Sequence, residues 1–417
     1  MSGPSLPPTA AFMPHDGQAV CHGSDGYGTA GGRARTFLWR PEWLAAEKAS
    51  VAADPAKAAA LRRAADAALR RGPYSVTDKT KTPASGDTHD YYSIGPYWWP
   101  DKTRPGGEPY IRRDGRINPE RGTEAFDLTR FQALSDDVRV LALAYHYLGD
   151  RKYADHAAKL LRVWFVDPET RMNPNYDYAQ AIPGRTAGRA EGVIDASRYV
   201  PVVEGIGLIG PANVLSKHDH AAIEGWFRQF VTWMATSASG RTERNKKNNH
   251  AIYYDMLLTQ FALFADMDAV ARHVAADFPR RRLATQIDTE GKMPEELTRT
   301  RSWHYAHWAL TAALEEATLA ECVGVDLWSW RAKDGRGLAD ALEWLAPYQG
   351  NVADWPYKDI DIADPARAGR VAREGREPFR LAAWGYRDAR WEALADKEPV
   401  AISVNDDYWL PPFEAEE

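Results

Sequence analysis

The sequence predicts an all-α fold, a toroid of antiparallel helical hairpins with long irregular loops gathered at one mouth. Apolar residues recur at intervals of three and four along most of the chain, and no segment shows the alternation expected of a strand. No repeat of fixed period is visible, which disfavours an open solenoid of regular units. Helices joined by loops of varied length favour stacked antiparallel pairs instead.

The helical pattern can be followed in order along the chain. The first stretch covers residues 41–71, where Pro55 after Asp54 predicts the start of a second helix. Further helices are predicted at 123–149, 152–166, 193–209, 217–237, 248–265, 268–285, 303–323, 336–347 and 378–396. Residues 1–35 are rich in Gly, Pro, Ser and Ala and are predicted to form an irregular lead-in. Residues 36–417 are predicted to form a single domain.

Two long segments lack any helical period. Residues 72–122 and 168–192 are rich in Gly, Pro and either aromatic residues or Asn. A stretch of this length without regular structure is usually functional or covers something. We therefore expect both loops to line a cleft.

Composition limits the classes of function. The chain has 417 residues, 44% of them hydrophobic, which is enough to bury a large core. A net charge of -6 argues against a general nucleic-acid surface, although a locally basic cleft could still bind an acidic polymer. No run of eighteen apolar residues exists, so no membrane span is expected.

The two cysteines and the first residues bear on the compartment. Cys21 and Cys322 are compatible with one disulfide and equally with two free thiols, and no metal-binding spacing is present. Residues 1–17 lack the basic and apolar pattern of a signal peptide. A periplasmic or secreted protein whose signal has been removed is expected, with a cytoplasmic location left open.

Two segments about fifty residues apart carry the chemistry. The first contains Asn249 and His250 at a predicted helix start, and the second contains Arg299 and Tyr305. An amide and a planar guanidinium can neutralise a carboxylate, so that the neighbouring carbon becomes acidic enough to lose its proton. This set therefore suits a β-elimination on a uronic acid polymer, in which the C5 proton leaves and the C4 oxygen is expelled.

Tyr305 is the candidate for both proton transfers. A phenol has an ordinary pKa near 10, so it needs a nearby cation to act as a base. In mannuronate and glucuronate the C5 proton and O4 lie on the same side of the ring, and one residue can serve both. In guluronate they lie on opposite sides, and His250 could supply the second base. Which of the two residues is the base stays open at this stage.

At these residues the sequence resembles the alginate lyase superfamily of polysaccharide lyases. Asn248-Asn249-His250, followed by Pro294, Glu296, Leu297, Arg299 and Tyr305, is similar to that family's active site. The loops at residues 92–101 and 179–184 look closer to polysaccharide lyase family 38, which includes alginate and glucuronan lyases. The spacing from Arg299 to Tyr305 is one residue shorter than in the older alginate lyase type. The resemblance covers roughly residues 85–360.

The resemblance implies an (α/α) toroid of six to seven hairpins and β-elimination without a required cofactor or metal. It implies Asn249 and Arg299 as carboxylate neutralisers and His250 with Tyr305 as the acid/base pair. The expected partner is an acidic polysaccharide, with no nucleic acid and no membrane. A monomer is the expectation, although the sequence does not show the oligomeric state.

Further residues are predicted to bind the substrate because they lie in the long loops or beside the motif. They offer flat aromatic platforms, cations or polar groups. They are Asn248, Tyr97, Trp98, Trp99, Arg112, Arg113, Gln180, Arg185, Arg189 and His89.

Two other functions remain compatible with the sequence. A glycoside hydrolase on a similar toroid would need two carboxylates across the sugar, and no pair stands out among Asp90, Glu191, Glu295 and Glu296. A non-catalytic polysaccharide-binding protein would tolerate the loss of Tyr305. The sequence does not distinguish mannuronate from glucuronate, nor endo from exo action.

Overall fold

The helices account for most of the chain. The computed structural model describes residues 21–28, 34–398, 400–401 and 403–414, without the side chains of 405 and 406. Most of the predicted lead-in therefore lies outside the described residues. The helices are α1 Pro41–Ala53, α2 Pro55–Ala68, α3 Leu128–Leu148, α4 Arg151–Phe165, α5 Val200–Ile209, α6 Lys217–Thr236, α7 Ala238–Arg244, α8 Asn249–Phe264, α9 Asp268–Phe278, α10 Ala284–Gln286, α11 Pro294–Leu297, α12 Ser302–Ala320, α13 Leu338–Leu345, α14 Ala368–Tyr386, α15 Ala389–Ala395 and α16 Val404–Asp407.

The predicted helix boundary at Pro55 is confirmed. Asp54 ends α1 and caps α2, because its carboxylate accepts hydrogen bonds from the backbone amides of Ala56 and Lys57. Pro55 occupies the first position of α2, where its missing N–H costs nothing. One residue pair thus separates two helices whose apolar pattern is continuous in the sequence.

The predicted start of the last long helix is wrong. α14 begins at Ala368, ten residues before the predicted position 378, and Pro378 lies inside it. The turns before Pro378 are dominated by charged and small residues and show no apolar run that would mark a helix. Two other predicted helices are not α-helical throughout. Residues 190–199 form a 3₁₀ helix before α5, and α9 is followed by a π-helical turn at Pro279–Leu283.

Five helices form an inner ring around a central cavity of about 810 Å³. α3, α5, α8, α12 and α14 each contribute side chains to the cavity wall, and neighbours in this order pack against one another. Each is followed along the chain by a helix that does not line the cavity: α4, α6, α9, α13 and α15. With α1 and α2 beside α3, the described part of the chain forms the predicted all-α toroid of consecutive helix pairs.

The two long loops meet at the mouth through short strands that the sequence pattern did not reveal. β1 (Tyr92–Ile94) pairs in parallel with β4 (Tyr178–Ala181), which ties the first loop to the second. β2 (Trp98–Trp99) pairs antiparallel with β3 (Ile111–Arg112) within the first loop. Strands of two to four residues are too short to show an alternating pattern.

One continuous apolar core extends from Cys21 to Phe413. Cys21 and Cys322 form a disulfide with Cα atoms 4.5 Å apart, which resolves the alternative left open by the sequence. The bond ties the first described segment to the turn after α12. Among the described helices, none is long and apolar enough to cross a membrane.

We expect the double substitution of Cys21 and Cys322 by Ser to lower the free energy of unfolding by about 2–4 kcal/mol. The cross-link closes a loop of 301 residues and so restricts the unfolded chain. Urea unfolding of the variant, compared with the oxidised wild type, measures the loss. Wild type unfolded in a thiol reductant serves as the control and should approach the variant. Equal stability of all three would show that the bond contributes nothing.

Candidate active site

The side chains of Arg299 and Tyr305 are positioned by the junction between α11 and α12. Pro294 starts the short helix α11, which ends at Leu297. Arg301 then forms a β-bridge with Asp359, and the Asp359 carboxylate accepts the backbone N–H of Trp303 at 2.9 Å. The start of α12 is thereby fixed, and Tyr305 lies in its first turns on the cavity wall.

The Tyr305 hydroxyl lies in a buried, charged environment. It shares a short hydrogen bond with the hydroxyl of Tyr97, which comes from the first long loop. The Arg299 guanidinium lies over the Tyr305 ring, 3.9 Å from its centroid. Burial raises the pKa of Tyr305 well above its ordinary value and Tyr97 adds to the rise, whereas Arg299 opposes it. Tyr305 is therefore a protonated phenol in the substrate-free protein at neutral pH.

Arg299 keeps hydrogen-bonding capacity for a ligand. Its Nη2 atom is 3.3 Å from Oδ1 of Asp114, and its buried Nε has no acceptor among the described residues. Asp114 also accepts the Thr300 hydroxyl at 2.9 Å and lies 2.7 Å from Nη2 of Arg112. Burial acts to raise the pKa of Asp114, but Arg299, Thr300 and Arg112 outweigh it and hold the pKa below the ordinary value. The loop thus supplies an ionised carboxylate to Arg299.

His250 is oriented by a buried carboxylate. Its Nδ1 atom hydrogen-bonds to Oε1 of Glu243, the last buried residue of α7, which has no exposed surface. A carboxylate beside Nδ1 favours the tautomer that carries its proton there. Nε2 has no hydrogen-bond partner in the described part of the chain, and the side chain lines the cavity. This nitrogen is available to accept a proton.

The two asparagines of the motif face different surroundings. Asn248 precedes α8, lines the cavity and makes no side-chain capping bond. Asn249 has no exposed surface, and its Nδ2 donates to Glu296 at 2.6 Å. Burial raises the pKa of Glu296 to about 7, against the opposing effect of the Asn249 amide. Asn249 therefore supports the cavity wall through its hydrogen bond to Glu296, whereas the side-chain amide of Asn248 lies on the surface of the cavity.

The second long loop supplies a polar network at the mouth. Gln180 has a φ of 48°, a strained conformation for a residue other than glycine. Its backbone N–H donates to the hydroxyl of Ser93, and its amide donates to Asp195 at 2.9 Å. Its Oε1 accepts from Arg189 at 2.6 Å. Gln180 and Arg189 both line the cavity, as predicted for this loop.

The structure brings most of the predicted residues together, but not all of them. The cavity wall includes Asn248, His250, Arg299, Tyr305, Tyr97, Trp98, Arg112, Gln180 and Arg189. Asn249, Trp99, Arg113, Arg185 and His89 are not on this wall.

The loop residues that miss the cavity have structural contacts. Arg113 stacks over Trp99 at 5.5 Å, and Trp99 donates to the backbone oxygen of Arg116. Arg185 donates to the backbone oxygen of Tyr110. His89 hydrogen-bonds to the backbone oxygen of Arg171. These contacts brace the loops, so the prediction of substrate contact is not supported for these four side chains.

His304 and His307, three residues apart on α12, bind different partners. His304 contacts Glu374 at 2.8 Å, whereas Nδ1 of His307 bonds to the backbone oxygen of Trp303. The described residues contain no group of three potential metal ligands.

Several functional contacts were not predicted from the sequence. Glu243 hydrogen-bonds to His250, Asp114 to Arg299 and Asp195 to Gln180. Lys246 forms an ion pair with Glu191 in the cavity wall. The available signal for Glu243 was its position seven residues before His250, two helical turns. The helix is interrupted between α7 and α8, so that spacing alone did not identify the pair.

The comparisons with known proteins agree with this geometry. The sequence profile described as alginate lyase matches residues 75–355. The chain belongs to the alginate lyase family. It is a polysaccharide lyase, and the predicted superfamily is confirmed, while its placement in polysaccharide lyase family 38 stays a prediction.

Solved structures support the assignment of this lyase. The crystal structure of an alginate lyase from Bacteroides ovatus is 36% identical, with a TM-score of 0.84, and the match covers 92% of this chain and 100% of that one. Alginate lyase A1-III, in a histidine-to-alanine variant complexed with tetrasaccharide, is 15% identical with a TM-score of 0.54, over 90% of this chain and 95% of that one. The second match shows the fold alone. No curated protein matches the chain.

We expect Glu243→Gln in this lyase to lower turnover of polyguluronate about a hundredfold. The amide can donate to Nδ1 of His250, which moves the imidazole proton to Nε2 and removes the acceptor. Initial rates on polyguluronate and polymannuronate measure the effect. Polymannuronate should be affected by less than a few fold if Tyr305 alone serves both proton transfers there, as the shared side of the C5 proton and O4 predicts. Equal losses on both polymers would contradict the proposed division of roles.

Proposed function

We propose that this lyase cleaves alginate by β-elimination and leaves a 4,5-unsaturated uronate at the new end. The observation that carries the proposal is the convergence of Arg299, Tyr305 and the Glu243–His250 pair on one cavity wall. The alginate lyase from Bacteroides ovatus, with 36% identity over the full length of that chain, supports the substrate class. Glucuronan has the same C5 and C4 stereochemistry as polymannuronate and is the second substrate to test.

Neutralisation of the uronate carboxylate is the first requirement. The guanidinium of Arg299 offers several N–H donors, and its buried Nε has no acceptor among the described residues. Asn248 provides a side-chain amide on the same cavity wall. Donors already in place stabilise the enolate-like charge as it develops, because they need no reorganisation. We assign this role to Arg299 and Asn248, and we assign Asn249 to holding Glu296.

Proton transfer follows from the stereochemistry of the sugar. The protonated Tyr305 is suited to deliver a proton to O4 of every substrate. For mannuronate, Tyr305 must first release its proton to solvent, and Arg299 over its ring favours the resulting phenolate, which takes the C5 proton and then passes it to O4. For guluronate, Nε2 of His250 takes the C5 proton from the opposite side.

A hydrolytic mechanism has less support at this site. Asp90 is held by Asn173 and Asn175, and Glu191 by Lys246. Glu296 is buried behind the wall with Asn249. Of the four carboxylates considered from the sequence, only Glu191 lines the cavity, so these residues supply no pair for hydrolysis.

The disulfide supports a location outside the cytoplasm. Disulfides persist in oxidising compartments such as the periplasm or the extracellular medium. A polymeric substrate too large to enter the cell would be met there. We propose that the enzyme acts as a monomer on the acidic polysaccharide.

The decisive experiment follows ultraviolet absorbance during incubation with polymannuronate, polyguluronate and glucuronan. A C4–C5 double bond conjugated to the carboxylate absorbs, whereas a hydrolysed end does not. Rising absorbance on an alginate polymer supports the proposal and identifies the preferred block. New reducing ends without absorbance would show hydrolysis, and no change on all three polymers would reject these substrates.

A further inference from the structure

The inner part of the cavity holds a carboxyl group that the elimination chemistry does not use. Glu315 lies on α12, ten residues after Tyr305, which places it about 15 Å farther along the helix axis. Only 9% of the residue is exposed, and that surface is on the cavity wall. No described residue donates a hydrogen bond to its carboxyl group or forms an ion pair with it. A buried polar group of this kind is normally satisfied.

The groups around Glu315 disfavour a negative charge on it. Glu377 of α14 and Glu204 of α5 both act on it electrostatically, and Tyr253 of α8 faces both Glu315 and Glu377. Both oxygens of Glu204 already accept hydrogen bonds, from three backbone amides and from the side chain of Gln260. Burial and these carboxylates raise the pKa of Glu315.

The surroundings also fit a sugar ring. The rings of Tyr253 and Trp308 contact each other with centroids 4.2 Å apart and planes tilted by 35°, and both residues line the cavity. Three arginines of α14, at positions 373, 376 and 380, also line the cavity and are paired with Asp407 or Glu392. Aromatic faces bind the apolar face of a sugar, and arginines favour the approach of its carboxylate.

We infer that Glu315 binds a uronate unit distant from the cleaved bond, by donating the proton of its neutral carboxyl group to the carboxylate of that unit. The inference rests on the proposed function, since it assumes a polyuronate in the cavity. A neutral acid can approach a polyanion without repulsion, and its hydrogen bond to a carboxylate is charge-assisted. Loss of the proton would turn the same group into a repelling charge.

The adjacent residue offers a matched control. Glu316 has no exposed surface, does not line the cavity, and accepts the Thr259 hydroxyl of α8 at 3.0 Å. The two glutamates thus share the helix and the residue type, but only Glu315 faces the cavity. Glu316→Gln reports the effect of changing a buried glutamate in α12 without changing the cavity.

The experiment measures kcat and KM on oligomannuronates from dimer to hexamer, over a range of pH, for wild type, Glu315→Gln, Glu315→Leu and Glu316→Gln. Glu315→Leu should raise KM about tenfold on the longer oligomers only, because the shorter ones do not reach this position. Glu315→Gln should keep the wild-type KM at low pH, since an amide also donates. Wild-type KM should rise with pH while KM of Glu315→Gln stays flat, and Glu316→Gln should follow wild type.

The outcomes separate this inference from the proposed function. If wild type cleaves neither these oligomers nor the corresponding oligomers of guluronate and glucuronate, the proposed substrate class itself fails. If wild type cleaves them and Glu315→Leu leaves KM unchanged at every length, the binding role of Glu315 is rejected. A wild-type KM that falls as pH rises would also reject it, because it would mean that the ionised carboxylate is the binding form. Thermal unfolding of each variant confirms that the compared enzymes are folded.

Discussion

Tyr305→Phe is expected to lower kcat on every polyuronate by about a thousandfold or more while KM changes little. The variant loses the hydroxyl that delivers the proton to O4, but it keeps the ring beneath the Arg299 guanidinium. Rates of double-bond formation under saturating polymannuronate measure the loss. Since Tyr305 is needed as acid on guluronate as well, polyguluronate should show a loss of similar size.

The neighbouring phenol provides the control for this prediction. Tyr97→Phe removes the hydroxyl that bonds to Tyr305 and leaves Tyr305 itself intact. We expect a much smaller loss of kcat from Tyr97→Phe. Because burial raises the pKa of Tyr305, wild-type kcat on polymannuronate should increase toward alkaline pH as the phenolate becomes populated. Equal losses in the two variants would show that the hydroxyl pair is structural and that Tyr305 is not the proton donor.

Arg299→Lys is expected to lower kcat/KM by about a hundredfold to a thousandfold, the effect of removing one preorganised donor from a developing oxyanion. Lysine keeps the charge but loses the planar fork and the stacking over Tyr305. The ratio kcat/KM on polymannuronate, followed by absorbance, measures the loss.

Arg113→Lys is the matched substitution at the same mouth. Arg113 stacks on Trp99 and does not line the cavity, so its replacement should change kcat/KM by less than a few fold. A loss of equal size in both variants would mean that positive charge at the mouth, rather than the fork of Arg299, governs the rate. A nearly unchanged Arg299→Lys enzyme would remove Arg299 from the mechanism.

The sequence predicted those elements that are marked by residues within or next to the element itself. Pro55 marks a helix start because the first turn of a helix needs no partner for the N–H that proline lacks. The Asn-Asn-His run and the segment from Arg299 to Tyr305 were predicted to meet, and His250, Arg299 and Tyr305 do share one wall. The start of α14 was missed because its first turns carry charge rather than an apolar stripe.

The remaining features depend on three-dimensional detail that spacing does not encode. Adjacent residues on a helix differ by about 100° in direction. That rotation decides whether Glu315 or Glu316 faces the cavity, whereas Asn248 differs from Asn249 because it precedes α8 in extended backbone. Asp114 reaches Arg299 across 185 positions of sequence, through a loop whose path is set by short strand pairs. No periodicity in the sequence predicts such a contact.

The contact between Asp114 and Arg299 makes substrate binding an exchange of carboxylates. In the substrate-free protein the guanidinium is paired with the carboxylate of the mouth loop, so it is not buried with an unmatched charge, and a uronate carboxylate that binds Nη2 has to displace that of Asp114. The affinity gained at this position is therefore the difference between two ion pairs, not the value of one. Under the proposed role of Arg299, Asp114 also competes with the product carboxylate for the same guanidinium.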